Sequence, residues 1–507
     1  MKTAVVIGAG PAGLTAAHEL CKSSNGWKVI VLEESPYIGG ISRTAVHGDC
    51  RIDIGGHRFF SKSKEVNDLW AELMPIQGSP SKDDIILDRV CNIEAGGPDP
   101  EKEDLVMLRR HRVSRIYYLR HFFDYPISIK PATFIAMGLV RTWNASWSYL
   151  YSVFHKRPEK SLEDFYINRF GRVLYAMFFE DYTKKLWGIH PSKISPEWGA
   201  QRVKGLSLWK AILNVFISKG GKKETSLIEE FIYPKKGPGQ LWETLAEKLR
   251  ANGVEIRMET KAVGLITNGS SITGVRTEMG DVIACDVVFS SIPIKDLVAS
   301  FENVPRDINR IASDLPYRDF ITVGLLVDHL AIANSTKLPT VNNIVPDTWI
   351  YVQERDVKMG RIQIFNNWSP YMVDDVTKHI WIGLEYFCSE DDKLWTMHDK
   401  AFMDMAVSEL RKIGVLDAET PILDSVCIRV KKAYPAYFGS YSEFGKVKTW
   451  LDGFDNLYCI GRNGQHRYNN MDHSMLCGIE AVRALLSGSD KANVWNVNTE
   501  EEYHESK

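Results

Sequence analysis

Three glycines near the start of the chain have the spacing of a phosphate-binding turn. Gly8, Gly10 and Gly13 follow an apolar run at residues 4–7 and precede a helical pattern at residues 11–22. Glycine at these positions permits a tight turn, the close approach of the backbone to a pyrophosphate, and close packing of the helix on the strand. The helix would direct its N-terminal N–H groups at the phosphates. The pattern therefore predicts a dinucleotide-binding turn.

An acidic residue at the end of the next apolar run supports this prediction. The run at residues 28–32 ends at Glu33, twenty residues after Gly13, and Glu34 follows. A carboxylate at this point can accept hydrogen bonds from both ribose hydroxyls of a dinucleotide. A strand, turn, helix, second strand and acidic residue in this order are far more specific than the three glycines alone.

A second glycine turn indicates which dinucleotide is bound. Gly39 and Gly40 are followed by the run at residues 41–44, in which Arg43 is a cation. A flexible turn and a cation suit the continuation of an extended pyrophosphate. The run resembles the class of FAD enzymes that includes amine oxidases, protoporphyrinogen oxidase, carotenoid desaturases and UDP-galactopyranose mutase. The resemblance implies bound FAD rather than a diffusing NAD. The alternative is an ordinary glycine turn followed by a solvated arginine.

The composition is that of a globular protein without a charged polymer as partner. The chain has 507 residues, enough for two or three domains, of which 44% are hydrophobic and 25% charged, and its net charge is −2. A near-neutral chain gives no sign of a nucleic-acid partner or of an anionic membrane as partner. The eight cysteines form neither a CxxC pair nor a metal-ligand spacing. We therefore expect reduced thiols, no bound metal and a cytoplasmic location.

The most apolar stretch of the chain lies at residues 134–154. It is interrupted by Arg141 and Asn144 and contains several tryptophans and tyrosines. Because the chain has no run of about 18 uninterrupted apolar residues, we expect no membrane-spanning helix. We expect a helix that packs its aromatic face inside the protein. Peripheral contact with a membrane is the alternative, and the oligomeric state is left open.

The nucleotide-binding region is expected to be discontinuous along the chain. Residues 286–293 and 457–462 have the pattern of strands that return to the first sheet, and residues 318–450 alternate strands with loops as an antiparallel sheet does. An amphipathic helix is expected from about Met475 to Ser487. The predicted fold class is therefore α/β. It comprises a Rossmann-type FAD-binding domain (residues 1–65, 226–300 and 452–490), a helical domain (130–225) and an antiparallel-sheet substrate-binding domain (66–129 and 301–451).

Further motifs, spread along the chain in the family's order, resemble the UDP-galactopyranose mutases. One is similar to their helical-domain segment, others to a strand pair of the eukaryotic-type mutases, and the last to their closing motif. A fold that binds FAD does not by itself name a reaction, so these segments carry the functional prediction. The matching segments are residues 55–57, 181–188 with Arg202, 349–351 with Arg361, 365–370, 434–435 and 461–474.

As this resemblance implies, Arg202 and Arg361 are the catalytic cations that hold the diphosphate of a nucleotide sugar. Arginine suits that task because it stays protonated and can bind a phosphate through two N–H groups. Tyr351, Tyr434 and Tyr468 would donate phenolic hydrogen bonds to the diphosphate. The alternatives are surface salt bridges for the arginines and ordinary core or rim positions for the tyrosines.

The resemblance also assigns residues around the sugar and the flavin. In the mutases the corresponding tryptophan lies near the substrate and the loop histidine lies against the flavin, which gives those roles to Trp187 and His57. His57 is then the third predicted catalytic residue, and Asn366 is a further substrate contact. A core tryptophan and a satisfied histidine are the alternatives. The expected FAD contacts are Gly8, Gly10, Pro11, Ala12, Gly13, Glu33, Glu34, Gly40, Ile41, Ser42, Arg43, Gly56, His57, Gly461, Arg462, Met471, Asp472 and Ser474.

The reaction that the resemblance implies is an isomerisation without net redox change. Reduced flavin N5 attacks the anomeric carbon of the sugar, the nucleoside diphosphate leaves, and the sugar recloses as a five-membered ring before the diphosphate returns. Covalent catalysis of this kind divides one difficult displacement into easier steps. The protein contributes positioning and stabilisation of the leaving diphosphate. NAD(P)H is a candidate external reductant, although the sequence contains no separate fingerprint for it.

Two departures from the mutase pattern leave the substrate open. The segment Tyr125-Pro126 is followed by residues 127–130 without the Gln and Asn of the uridine-binding run, and the closing motif is about two residues shorter than the eukaryotic one. Another nucleotide sugar or a related pyranose is therefore compatible with the sequence. An FAD-dependent oxidase or desaturase is the alternative function, and a flavin-bearing scaffold without catalysis is a third.

Overall fold

The first apolar run forms the central strand of a parallel sheet, as its continuous hydrophobic sequence predicts. In this computed structural model, which describes residues 1–23, 26–125, 131–196 and 230–498, Lys2–Ile7 lies between Trp27–Leu32 and Val287–Ser290 and runs parallel to both. Strands of parallel sheets are buried on both faces, which explains why their sequences are apolar throughout.

Nineteen strands are found in the described part of the chain. They are β1 (Lys2–Ile7), β2 (Trp27–Leu32), β3 (Thr44–His47), β4 (Cys50–Asp53), β5 (Met107–His111), β6 (Ser114–Tyr118), β7 (His121–Asp124), β8 (Glu230–Pro234), β9 (Glu255–Arg257), β10 (Ala262–Asn268), β11 (Ser271–Thr277), β12 (Val282–Ala284), β13 (Val287–Ser290), β14 (Tyr317–Val327), β15 (Trp349–Val352), β16 (Arg361–Ile364), β17 (Ile380–Cys388), β18 (Ile422–Pro435) and β19 (Leu457–Cys459).

The helices lie between these strands along the chain, and helices pack on both faces of the parallel sheet. They are α1 (Pro11–Ser23), α2 (Lys64–Leu73), α3 (Lys82–Ile86), α4 (Pro131–Met137), α5 (Leu139–Phe154), α6 (Leu162–Tyr175), α7 (Asp181–Trp187), α8 (Pro238–Ala251), α9 (Ile294–Ala299), α10 (Arg306–Ser313), α11 (Phe365–Trp368), α12 (Asp399–Lys412), α13 (Phe444–Asp452), α14 (Gly461–Gly464), α15 (Met471–Ser487) and α16 (Ala492–Asn496). A π-helical turn, Ala176–Glu180, joins α6 to α7.

Two large sheets organise the molecule. The first has the strand order β19-β13-β1-β2-β9, and all of its pairs are parallel. The second has the order β18-β14-β17-β16-β15-β6-β7. Its pairs are antiparallel except for β15 with β6, which are parallel. The α/β fold class is confirmed, and the second sheet differs from the prediction in that single parallel pair.

The parallel sheet collects strands from distant parts of the chain, as a discontinuous nucleotide-binding region requires. Its hydrophobic core joins α1, α8 and α15 to the sheet through buried alanine, valine and leucine side chains. A separate core fills the second sheet and packs it against α12. The boundaries predicted for the three domains stay a prediction, and part of the predicted helical domain, residues 197–225, lies outside the described residues.

Two helices differ from the sequence prediction. The expected single helix over residues 134–154 is divided by Gly138, which has φ of 77° and separates α4 from α5. The expectation that this segment packs its aromatic face inside the protein is wrong, because Trp143, Trp147 and Tyr151 are exposed. The buried side of α5 consists instead of Ala145, Tyr149 and Ser152.

Candidate active site

The three glycines of the first turn have different structural roles. Gly8 adopts φ of 104°, a conformation that favours glycine. A Cβ on Gly13 would lie 2.0 Å from the carbonyl oxygen of Gly8, so α1 can approach β1 only without a side chain there. A Cβ on Gly10 would meet nothing nearer than the Cα of Gly40, 3.8 Å away. The space over Gly10 is therefore open to a ligand.

The carboxylate of Glu33 lies at the end of β2 beside this turn. One of its oxygens accepts a hydrogen bond of 2.8 Å from the backbone N–H of Ala9, and the other accepts from the N–H and hydroxyl of Ser35. A carboxylate has about four lone-pair sites, so it can accept ribose hydroxyls as well. Glu34 is exposed and lies 3.8 Å from the ammonium group of Lys261, on the outer side of the turn.

The second glycine turn is tied directly to the first. The N–H of Gly39 donates to the carbonyl of Ala9 at 2.9 Å, and a single 3-10 turn, Gly40–Ser42, follows. The guanidinium carbon of Arg43 lies 4.3 Å from the centre of the Tyr37 ring. Burial lowers the pKa of Arg43, which is the electrostatic cost of holding a cation there without a carboxylate.

His57 is held by two backbone carbonyls. Its Nε2 lies 3.0 Å from the oxygen of Ile41 and 2.9 Å from that of Ile54. Burial lowers the pKa of His57 to about 4, with the charge of Arg462 acting in the same direction. The ring is therefore neutral at pH 7. Because carbonyls only accept hydrogen bonds, the proton of the neutral ring lies on Nε2 and Nδ1 is an acceptor. Ile41 thus acts through its carbonyl group.

The glycine before His57 makes room for an aromatic ring of the second sheet. A Cβ on Gly56 would lie 2.3 Å from the Trp349 ring. This contact brings β15, with Trp349 and Tyr351, against the loop that follows β4. The β3–β4 hairpin and the second sheet thus meet here.

The segment from Gly461 to Ser474, which we call the closing segment, brings Gly461 and the cation Arg462 to the first glycine turn. Gly461 has φ of 75°, and a Cβ there would lie 2.7 Å from the Cβ of Ala12. The guanidinium carbon of Arg462 lies 4.0 Å from the centre of the Tyr468 ring and 4.9 Å from that of Tyr434. The Nε of Arg462 is buried and has no hydrogen-bond partner among the described residues.

Helix α15 begins at the site and earlier than its sequence pattern predicts. It starts at Met471 rather than near Met475, because Asn470 caps it and exchanges hydrogen bonds with His473. Buried side chains occupy its first turn. They belong to Met471, Asp472 and Ser474.

These features fit an extended dinucleotide cofactor. The open space over Gly10, the N-terminus of α1 and the carboxylate of Glu33 match the requirements of phosphates and a ribose. The buried Nε of Arg462 supplies a donor for a polar group of such a cofactor. Pro11 and Ala12 form the first turn of α1, and Ser42 is buried in the second glycine turn.

A fully buried guanidinium lies at the centre of the predicted substrate residues. The Nε of Arg361 donates to the Tyr182 hydroxyl at 2.6 Å, and its Nη1 donates to Glu385 at 2.9 Å and to the Tyr434 hydroxyl at 3.5 Å. Its guanidinium carbon also lies 4.8 Å from the Trp349 ring centre. The Nη2 group makes no hydrogen bond to a described residue.

The charge of Arg361 is balanced by one carboxylate. Glu385 lies in the middle of β17 and is completely buried. Burial raises its pKa, and the neighbouring arginine opposes that effect. The Nε2 of Gln363 donates to the second carboxylate oxygen at 2.8 Å. Burial acts to lower the pKa of Arg361, but the neighbouring Tyr182 and Glu385 raise it. The pKa therefore lies well above the ordinary value. The guanidinium therefore stays a cation.

Aromatic rings surround this cation. Tyr351 contacts the rings of Trp349 and Tyr182 at centroid distances of 5.7 Å in both cases. The rings of Tyr434 and Tyr468 are stacked at 5.8 Å. Burial raises the pKa of Tyr434 to about 12, so its hydroxyl keeps its proton and can donate it in a hydrogen bond.

Three of the predicted substrate residues are not joined to this cluster in the same way. Arg202 lies outside the described residues. Trp187 is buried in the core cluster that also includes Tyr434. Asn366 uses its amide to bond the carbonyl of His379 and the N–H of Trp381, both at the far end of the strand that contains Glu385. Their roles in binding stay predictions.

Sequence reasoning missed several members of the cluster. Glu385 is the only charged residue in the otherwise apolar strand β17, and a lone carboxylate in such a strand is a usable signal. Tyr182 and Trp349 were inside matching motifs but were not singled out. A further buried carboxylate, Asp53, accepts from Thr44 at 2.8 Å and from Tyr233.

Comparison with known proteins identifies the family and the fold. The model of the family described as flavin containing amine oxidoreductase matches residues 11–445. A solved structure of reduced UDP-galactopyranose mutase is 21% identical, with a TM-score of 0.77 over 99% of this chain and 100% of that chain. A proposed protoporphyrinogen oxidase from Exiguobacterium sp. 255-15 is 16% identical, with a TM-score of 0.68 over 96% and 99%.

An amine oxidase has the same architecture. Putrescine oxidase bound to putrescine is 13% identical, with a TM-score of 0.61 over 96% of this chain and 99% of that chain. At these identities the likenesses establish the fold, which mutases and oxidases share. The choice between the two activities therefore depends on the residues of the site.

Proposed function

The chain belongs to the flavin-containing amine oxidoreductase family, and from that premise we propose that it is a flavin-dependent nucleotide-sugar mutase. It interconverts the pyranose and furanose forms of a sugar attached to a nucleoside diphosphate. The observation that carries the proposal is the buried Arg361 guanidinium, which is bonded to Glu385 and to two phenolic hydroxyls. An arginine in this setting suits an anionic substrate.

FAD, when bound in reduced form, supplies a nucleophile for the anomeric carbon of the sugar. The residues that would hold it are the glycines of the first two turns, Glu33, and the segment from Gly461 to Ser474. The source of the electrons is an external donor, for which NAD(P)H is a candidate.

Arg361 holds the diphosphate in this proposal. Its Nη2 is available for a phosphate oxygen, while Nε and Nη1 are already fixed by Tyr182 and Glu385. The guanidinium is thus preorganised, and no side-chain reorganisation is needed when negative charge develops on the departing diphosphate. Glu385 compensates the charge of Arg361, which limits the cost of burying the cation.

Tyrosine hydroxyls complete the anion site. Tyr434 contacts both arginines, since its hydroxyl lies 3.5 Å from Nη1 of Arg361 and its ring lies 4.9 Å from Arg462. A phenol that keeps its proton donates to phosphate without adding charge. Tyr351 and Tyr468 extend the same aromatic wall. Arg202 would add a second guanidinium, as the mutase resemblance implies.

His57 positions the loop and does not transfer a proton. Both carbonyls near its Nε2 belong to backbone segments that border the proposed flavin site. Its pKa of about 4 keeps the ring neutral at physiological pH. The available Nδ1 is an acceptor toward whatever lies against the ring.

Oxidation of an amine is the second candidate function, and the family name and the likeness to putrescine oxidase favour it. The ion pair argues against it. Both oxygens of Glu385 already accept hydrogen bonds, from Arg361 at 2.9 Å and from Gln363 at 2.8 Å, whereas Nη2 of Arg361 makes none to a described residue, so the pair offers a donor to an anion rather than an acceptor to an amine. A hydrophobic substrate gives no reason for a buried guanidinium either.

Product analysis separates the two candidates. The purified protein, with its flavin either oxidised or reduced by dithionite under anaerobic conditions, is incubated with a panel of nucleotide sugars, and pyranose and furanose forms are separated by chromatography. We expect ring isomerisation only with reduced flavin. Hydrogen peroxide release from amines or other substrates with oxidised flavin, together with no isomerisation, would overturn the proposal.

A further inference from the structure

The outer face of α5 is apolar although it faces solvent. Trp143, Trp147, Tyr151 and Phe154 are between 57% and 79% exposed, and Leu139 precedes them on the same side of the helix at three-to-four-residue spacing. We call these five residues the α5 outer face. Both tryptophans that are highly exposed in the described part of the chain belong to it. Such a concentration differs from scattered surface hydrophobics, which need no explanation.

The α5 outer face is large enough for a docking surface. An aromatic side chain has roughly 150–250 Å² of surface, so four rings exposed by more than half present on the order of 500 Å². The largest apolar patch on a typical monomer is roughly 300–600 Å². Leu139 and the neighbouring Val140, which is also exposed, add to that area.

The other side of α5 is fixed to the protein. Ala145 and Tyr149 are buried. A Cβ on Gly171 of α6 would lie 2.8 Å from the backbone of Ser148, so the two helices are in close contact. The helix therefore cannot rotate to bury its outer face against its own support. The exposure is a fixed property of this part of the molecule.

The sequence of α5 and its flanking segments contains cations and no carboxylates. From residue 125 to residue 158 the sequence contains Lys130, Arg141, Lys156 and Arg157 and no aspartate or glutamate, in a chain that has 64 acidic residues. The acidic residues that follow are opposed by arginines: for example, Glu159 lies 2.6 Å from Arg169. An apolar face bordered by cations matches the boundary of an anionic lipid bilayer.

We propose that the α5 outer face docks on the surface of an anionic membrane. The helix would lie in the plane of the interface, with its aromatic rings at the level of the headgroups, where tryptophan and tyrosine are favoured. No described helix is long and apolar enough to cross a membrane. The 16 residues of α5 are also too short to span a bilayer, which takes about 20.

A second copy of the chain is a less suitable occupant. A two-fold interface would bring the same surface of each copy together, and the cations at residues 141 and 156 of one copy would then approach those of the other, while Arg157 lies 4.0 Å from Asp164 of its own chain. An anionic bilayer compensates these charges, whereas a symmetric partner repeats them.

Membrane docking would bring the candidate active site close to the lipid surface. Ala145 of α5 belongs to a hydrophobic cluster with Met177 and Phe178, and Tyr351 packs against that cluster. The α5 outer face and the aromatic rings around Arg361 thus lie on opposite sides of one helical layer. The proposal does not depend on the reaction that the site performs.

The experiment is co-sedimentation of the full-length flavoprotein with vesicles. We compare phosphatidylcholine vesicles with vesicles that also contain about 30% phosphatidylglycerol as the anionic lipid. We expect binding to the anionic vesicles that weakens when salt is raised to about 0.5 M, because screening shortens the range of the cationic attraction. Binding to neutral vesicles should be clearly weaker.

The variant Trp143→Ser/Trp147→Ser tests the face itself. Both rings are exposed, so the fold and the flavin spectrum should be unchanged, while the partition coefficient should fall by about tenfold or more since aromatic area is lost from the interface. The control Ile85→Ser/Val90→Ser removes two exposed apolar side chains from another surface and should bind like the wild type.

Several results would overturn the proposal. One is the absence of vesicle binding, and another is equal binding by the wild type and the tryptophan variant. A dimer in light scattering that the tryptophan variant converts to a monomer would show that a second copy covers the face. Because flavin content and isomerisation are measured separately, none of these results bears on the proposed mutase activity.

Discussion

Arg361 and Glu385 form a buried ion pair whose two members have different expected roles. The arginine has an Nη2 group that makes no hydrogen bond to a described residue, whereas the carboxylate accepts from Arg361 and Gln363. Removing one partner of a buried pair leaves an uncompensated charge, and this is usually more costly than replacing both. Stability and substrate binding can therefore be separated by mutation.

Arg361→Ala is expected to weaken nucleotide-sugar binding by roughly 2–5 kcal/mol and to lower the free energy of unfolding by about 3–5 kcal/mol. The double variant Arg361→Ala/Glu385→Gln should recover much of the stability and none of the affinity, because it removes the orphaned carboxylate but not the need for a cation. Urea unfolding and calorimetric titration measure the two quantities. Recovery of affinity in the double variant would remove Arg361 from the site.

Asp53 gives a second prediction at the residue scale, in the pH dependence of stability. Burial raises the pKa of Asp53 to about 7 from an ordinary value of 3.8. The folded state therefore binds this proton more tightly than the unfolded state does, and the free energy of unfolding should fall as pH rises from about 4 to about 7. At about 1.4 kcal/mol per unit, the loss is on the order of a few kcal/mol.

The variant Asp53→Asn should flatten that part of the pH–stability curve, since an amide does not titrate. Its oxygen can accept from one of the hydroxyls of Thr44 and Tyr233 while its NH2 group donates to the other. Asp49→Asn, an exposed substitution in the same hairpin, should leave the curve as in the wild type. Chemical denaturation at pH 5, 6 and 7 supplies the comparison. Parallel curves for Asp53→Asn and the wild type would show that Asp53 is ionised throughout.

At the scale of elements, the glycines of the first turn separate folding from cofactor binding. Gly10→Val should produce a folded protein that loses its yellow colour, because the protein leaves space over Gly10 that the pyrophosphate would use. Gly13→Ala should instead destabilise the fold, since its Cβ would lie 2.0 Å from the Gly8 carbonyl. Thermal unfolding and flavin absorbance distinguish these effects.

Gly445→Ala is the control for both glycine variants. It lies in α13, and a Cβ there would meet no atom within 4 Å. We expect unchanged flavin content and unchanged thermal stability. A Gly10→Val protein that stays yellow would contradict the assignment of this turn to the cofactor.

The elements of the parallel sheet were predictable because their signals are local. Continuous apolar runs and glycine spacing predicted β1, β2 and α1 to within a residue or two. Two boundaries were missed for equally local reasons. Gly138 interrupts an apolar pattern that looks continuous, and the cap at Asn470 starts α15 before its periodic pattern begins.

At the scale of the whole molecule, the sequence predicted the motifs but not the side chains that surround them in the fold. Arg361 and Tyr434 lie within recognisable segments, but Glu385 joins them only because β17 lies beside β16 in the sheet. The orientation of α5 was missed because periodicity shows which side chains share a face, not which face is covered. Tertiary contacts decide both questions.

The two sheets together explain where the site forms. The glycine turns lie at the carboxyl ends of parallel strands, where ligands bind in open α/β sheets. The second sheet contributes Trp349 on β15 and Arg361 on β16, and the closing segment contributes Arg462. The predicted cofactor residues and the cluster around Arg361 thus meet at one junction, on which the proposed mutase activity depends.

The most direct test is positional isotope exchange in a nucleotide sugar labelled with ¹⁸O at the oxygen that joins the sugar to the β-phosphate. If the bond from the anomeric carbon to oxygen breaks while the diphosphate stays at Arg361, the label should move to non-bridging positions of that phosphate. We expect this exchange with reduced flavin, not with oxidised flavin, and not in Arg361→Ala. Isomerisation with the label fixed in place, or no exchange with any nucleotide sugar, would contradict the account.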